Sequence, residues 1–176
     1  MKKIITLCAC ALFALGLTAC GSSSNTTENG ETSFTTVQTA VKEAIVTFLE
    51  DAGVTPAEEE GQITGYAIYD IKTDDLSALY PAINPEDFAN GTIYMPMMMT
   101  KSDLIIVAEA TDADAVANIE ASFAEVKEAQ IQQWQQYLPD QFEKVEANQV
   151  VTSGNYVLYS TFDNNDVVDA FKAATK

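Results

Sequence analysis

The chain has 176 residues, 26 of them acidic and nine basic, and carries a formal net charge of −17 with no histidine. A surface so acidic repels nucleic acid and anionic headgroups, which excludes both as electrostatic partners. With histidine and arginine both absent, the commonest general base and the bidentate phosphate fork are unavailable as well.

Lys2 and Lys3 open the chain, an apolar run without acid or base covers residues 4–17, and the small Ala19 precedes Cys20. This is the grammar of a secretory signal peptide. The run is shorter than the roughly 20 residues that a spanning helix needs. Leu17-Thr18-Ala19-Cys20 resembles the lipobox of bacterial lipoproteins. The resemblance implies cleavage before Cys20, whose thiol then carries a diacylglyceryl group, and two acyl chains are enough for stable anchoring. The expected partner through that lipid is the cell membrane, with the protein on its extracytoplasmic face. Cys8 and Cys10 fall within the leader, so no disulfide is expected. The predicted organisation is a signal peptide at 1–19, a flexible tether at 20–33 and one domain at 34–176. The tether is read from its Ser/Asn/Thr/Gly composition, which lacks apolar periodicity from Gly21 onward.

From Phe34 a 3.6-residue period sets Val37, Val41, Ala44, Ile45 and Phe48 on one helical face, and Gly53 and Pro56 end it. Glu58-Glu59-Glu60 reads as a solvated loop. Residues 63–71 read as a strand, 74–79 as a short helical turn, and Asn84-Pro85-Glu86-Asp87 as another turn capped by Asn84. Residues 92–99 and 104–110 form two extended apolar runs, joined as a hairpin through 100–103. Pro96 within the first run points to an edge strand or a bulge; an edge strand accepts an extended peptide from a partner, unless the segment 63–91 covers it. Thr111-Asp112-Ala113-Asp114 is the cap of a long helix, with the threonine hydroxyl accepting the orphan amides. Val116, Ile119, Phe123, Val126, Trp134 and Leu138 share its apolar face, and Pro139 ends it. A second hairpin joins 149–152 to 156–162 through Ser153-Gly154-Asn155. Residues 163–166 then cap a last helix bearing Val167, Val168 and Phe171. The order predicts an α+β fold: a mainly antiparallel sheet of two β-hairpins, a long amphipathic helix between them, a C-terminal helix and a preceding N-terminal helix. The helices are expected on one face of the sheet.

Tyr94-Met95-Pro96-Met97, Tyr137-Leu138-Pro139-Asp140-Gln141 and Gly154-Asn155-Tyr156-Val157 resemble the family of domain of unknown function 4358. The resemblance runs over residues 34–176. It implies a lipoprotein of Gram-positive bacteria with the same order of elements, and brings no catalytic residue with it.

Three kinds of site are available to these residue types. Strand alternation sets Met95, Met97 and Met99 on one face, either as core filler or as soft thioether ligands for Cu(I); core packing is the expected role. Trp134, Tyr137, Tyr156 and Tyr159 are a candidate aromatic platform for sugar or peptide, the alternative being that they seal the helix to the sheet. Carboxylates alone can hydrolyse a glycosidic bond when two of them flank it. Asp112-x-Asp114 and Asp163-x-x-Asp166 lack the glycine and glutamate of a calcium loop and read as helix caps. No cofactor is expected. The function that follows is a lipid-anchored binding or accessory module for a protein, peptide or envelope ligand. A carboxylate-dependent hydrolase is the alternative, and a methionine-based copper protein the less favoured third.

Overall fold

The computed structural model describes residues 32–176, apart from Glu60 and Asp163; the leader, Cys20 and all but the last two tether positions lie outside the described residues. The strand at its centre is β5, Ile105–Ala110. Ile105, Ile106, Val107 and Ala108 in succession are fully shielded from solvent. Consecutive side chains of a strand point to opposite faces, so an uninterrupted apolar run requires cover on both. That cover comes from two helical layers. Ile105 and Val107 pack with Val41 and Ile45 of α1 (Phe34–Asp51) and with Val168 and Phe171 of α4 (Asp166–Ala174). Ile106 and Ala108 pack with Ile119 and Phe123 of α2 (Ala113–Trp134). The fold is α+β, but its helices lie on both faces of the sheet, in place of the one face expected.

The described sheet has seven strands in the order β1-β2-β3-β4-β5-β7-β6, each antiparallel to its neighbours. The two expected hairpins are present: β4 (Phe88–Pro96) with β5, and β6 (Gln149–Ser153) with β7 (Tyr156–Ser160). The segment read as one strand at 63–71 is instead β2 (Gln62–Ile63) and β3 (Tyr66–Asp70). Ile63 pairs with Tyr66, and Gly65 between them has φ of 82°, a conformation that favours glycine. Glu58–Glu59, expected in a loop, forms the short edge strand β1; a brief, charged edge resists pairing with other chains. Pro96 is not on an edge strand, since β4 lies between β3 and β5. It is tolerated as the last strand residue, and the amide of Met97 donates to the Gly65 carbonyl at 2.9 Å just beyond it.

Both ends of α1 follow from local chemistry. The Ser33 hydroxyl accepts from the Thr36 amide. At the other end, Val54 N–H donates to Leu49 and Gly53 N–H to Glu50, both at 2.9 Å, which is the paired pattern of a Schellman closure. In α2 the cap is the Asp112 carboxylate, which accepts from Asp114 and Ala115; the Thr111 hydroxyl instead donates to the Asp87 carbonyl. The helix stops at Trp134, earlier than expected, because Leu138 is extended and Pro139 begins a separate helix, α3 (Pro139–Glu146). Proline suits the first helical position, where no intrahelical donor is lost. Ahead of α4 the Asn165 side chain makes no capping bond; the Asn164 side-chain Oδ1 accepts from the Asp166 amide. The 3₁₀ turn Pro85–Asp87 is capped by Asn84 as expected.

Helix α3 holds the turn between β4 and β5. Gln141, buried, accepts the Ser102 amide on Oε1 at 2.8 Å, and the Ser102 hydroxyl donates to the Gln141 carbonyl at 3.1 Å. Lys144 pairs with the largely buried Asp103 at 2.8 Å. From the sheet, the Thr161 hydroxyl oxygen accepts the Leu104 amide at 2.8 Å and donates to the Ser102 carbonyl. A loop whose polar groups are satisfied this fully has little freedom to shift, since each lost buried bond leaves a desolvated group unpaired.

Truncation tests the two faces of α2. Phe123→Ala and Trp134→Ala should each cost roughly 3 to 5 kcal/mol in denaturant melts, as for buried aromatic side chains. Glu125→Ala, on the exposed side of the same helix, should change stability by about 0.5 kcal/mol or less. Equal melts for Trp134→Ala and the parent would take Trp134 out of the core.

Candidate functional site

Beyond Pro96 the chain leaves the sheet, so strand alternation stops governing its side chains. Met97, Met98 and Met99 are consequently exposed at 57, 57 and 89 %, which overturns the core role expected for Met97 and Met99. Met95, still within β4, is partly buried against the α2-side core. The three exposed methionines form one wall of a groove of about 780 Å³. The C-terminal half of α2 forms another, and the segment 79–82 also lines it. Tyr80 is held there by a helical turn, its amide donating to the Leu76 carbonyl at 2.8 Å, and burial pushes its phenol well above the usual tyrosine range. Leu104, Val126 and the side of Trp134 line the interior. The volume is of the size that holds small ligands.

The expected aromatic platform does not assemble. Trp134 is 3 % exposed and lines the groove from beneath. Tyr137, 59 % exposed, stands beside it with ring centroids 6.0 Å apart. Tyr159 is buried in the α2-side core, edge-on to Phe123 at 5.7 Å, and its hydroxyl donates to Gln130 Oε1 at 2.5 Å; burial raises its pKa as well. Tyr156 packs in the opposite layer and donates to the Thr32 carbonyl at 2.7 Å. Positions three apart on a strand face opposite ways, so the spacing of Tyr156 and Tyr159 already forbids their joining one surface.

Sequence reasoning missed Met98, Gln130 and the 79–82 segment. Gln130 ties the groove to the core: it accepts from Tyr159 and donates to the Ser102 carbonyl at 3.4 Å. Met98 carried a signal, the run of methionines directly after a strand-ending proline. Nothing local marks Leu79 or Pro81 as groove residues, because they reach α2 only through the tertiary fold.

The groove's acids are Glu125 and Glu128. They lie three apart on one helix and therefore on neighbouring positions of one wall. The methionine segment adds Lys101, and Ser102 beside it is buried and committed to Gln141. Two carboxylates on opposite sides of a scissile bond, the geometry that glycoside hydrolysis uses, are not brought together among these lining residues. Among the described residues no cluster of three or more His, Cys, Asp or Glu side chains is placed to hold a metal ion. Asp112 is committed to its helix cap. No helix among the described residues is long and apolar enough to cross a membrane.

No curated protein and no solved structure matches the chain. A family model does, that of the Domain of unknown function (DUF4358), over residues 63–161. The matched span runs from the end of β2 to Thr161, beside the last residue of β7, and takes in every wall of the groove. Since it covers more than half of the sequence, the chain belongs to the DUF4358 family.

Proposed function

We propose that this protein is a lipid-anchored binding module on the extracytoplasmic face of the cell membrane, with the groove between the methionine wall and α2 as its ligand site. The observation that carries the reading is the exposure of Met97, Met98 and Met99 around an apolar interior. Three adjacent thioethers held in water make a contiguous apolar surface of the kind that marks a docking site. Methionine is suited to it, because an unbranched, polarisable side chain adapts to varied partners. The hydrolase alternative is disfavoured by Glu125 and Glu128 sharing one wall. Anchoring is supported by the leader and by Leu17-Thr18-Ala19-Cys20.

The anchor is tested by Cys20→Ser. The variant should leave the membrane fraction and keep the melting behaviour of the parent, since the acyl chains alone hold the protein there. Retention after a high-salt wash would remove lipidation from the account.

The groove is tested with a photoreactive side chain placed at Met98 or, as a control, at Val150, which is exposed on the edge strand β6. Illumination of living cells should give a defined adduct from position 98 and none of the same mass from position 150. The same adduct from both would mean that the groove is not the site.

The exposed sulfurs of Met97 and Met99, next to the partly buried Met95, favour a second reading, Cu(I) held by these three, since thioethers are soft ligands. Against it stands the absence of histidine. A Met95/Met97/Met99→Leu variant, close in volume to the parent, should bind Cu(I) as weakly as the parent does. A tenfold or greater loss of affinity in the folded variant would make copper the ligand.

A further inference from the structure

The groove has a length, an apolar floor and a charged rim, and together these specify an occupant more closely than an apolar surface alone. Its α2 wall extends from Glu125 to Trp134, which at the helical rise is about 13 Å. An extended chain covers that distance in about four residues. A helix keeps its backbone N–H and C=O groups paired within itself, so only an extended chain presents them to polar side chains of the groove. The floor of Leu104, Val126 and Trp134 accepts apolar side chains.

The rim supplies the charge. Glu125 and Glu128 line the groove, and among the described residues neither has an ion pair or hydrogen bond from a side chain. Lys101 is the one cation among the lining residues, and the chain around it carries −17 overall. A field of that sign concentrates cationic ligands and rejects acidic ones. Gln132 and Gln133 on the same wall offer side-chain amides that both donate and accept, which matches the alternating N–H and C=O groups of an extended peptide.

We infer that the groove binds an extended segment of about four residues from a protein partner, alternating apolar side chains, which enter the methionine-walled interior, with lysine or arginine, which reach Glu125 and Glu128. This rests on the groove being the ligand site, and names the chemistry of what enters it.

Trp134 is the single tryptophan of the chain and lines the groove, so its fluorescence reports occupancy directly. The probes are capped tetrapeptides alternating leucine with lysine, the same peptides with glutamine or glutamate in place of lysine, and decanoate as a free acyl chain, each titrated into the full protein. The lysine peptide should bind most tightly, and its affinity should fall as salt is raised. In the Glu125→Gln/Glu128→Gln variant that affinity should drop between about twofold and thirtyfold, the range for losing two exposed ion pairs, while the glutamine peptide binds as before. Ala129→Phe, which fills the groove from an exposed position of α2, should abolish binding of both. If the glutamine or glutamate peptide bound as tightly as the lysine peptide, or decanoate bound more tightly than any peptide, the basic-peptide assignment would be overturned with the groove still standing as a site. If no probe bound and Ala129→Phe left the cellular crosslink from position 98 unchanged, both the assignment and the groove would be lost.

Discussion

The constraint on which the rest of this structure depends is the burial of β5 on both faces. A strand with Ile105, Ile106, Val107 and Ala108 in succession cannot sit on a sheet with one wet side, so the chain must supply helical cover twice. It draws that cover from separated parts of the sequence. One layer joins α1, at the start of the described residues, to α4 at the end, and the other is α2, inserted between the two hairpins. Close approach within the sheet layer is needed as well. Gly91 on β4 lies against Ile71, where a Cβ would fall 2.6 Å from the isoleucine Cδ1 and 3.1 Å from its Cβ, so a side chain there would force the core apart.

The groove is a by-product of how that layer ends. Pro96 stops β4, and the chain needs eight further residues before β5 begins at Ile105. Those residues are apolar at their start, Met97 to Met99, and polar further on, at Ser102 and Asp103, before the buried Leu104. The later part is fastened by Gln141, Lys144 and Thr161, whereas the methionines reach into solvent. A firmly held base under adaptable side chains is a workable arrangement for recognition: the backbone loses little entropy on binding, and the thioethers adjust to the ligand.

Much of this was legible in the residues. The apolar stripe of α1, the α2 face through Ile119, Phe123 and Val126, and both hairpins follow from periodicity, and Gly53, Asn84 and Gly154 mark their boundaries through capping and turn chemistry. What failed did so where one local signal had two outcomes. Pro139 both disfavours helix at Leu138 and favours a helix start at its own position; only the first effect was expected, so α3 was missed. Pro96 signals an edge or a bulge by local chemistry, whereas it sits at a strand terminus. The run Leu104 to Ala108 already carried the two-faced burial in its lack of alternation, but the helical cover for the second face comes from α1, about 60 residues earlier. Of the groove, the methionines and Trp134 were visible as residue types. Their assembly with Leu79 and Pro81 was not, because no local period encodes a contact between an irregular segment and a distant helix.

Placement of the chain's entry point has a mechanical consequence. The Thr32 carbonyl accepts a hydrogen bond from Tyr156 on β7, and α1, which begins two residues later, packs in the layer shared with α4. The groove belongs to the other layer, across the sheet. Tension applied to the polypeptide ahead of Thr32 is therefore taken up first by the Tyr156 bond and by the packing of α1 on β5 and β7. The α2 wall and the methionine loop lie off that load path. A ligand seated between Met98 and Glu125 therefore meets neither α1 nor the Thr32–Tyr156 bond, which lie on the far side of the sheet.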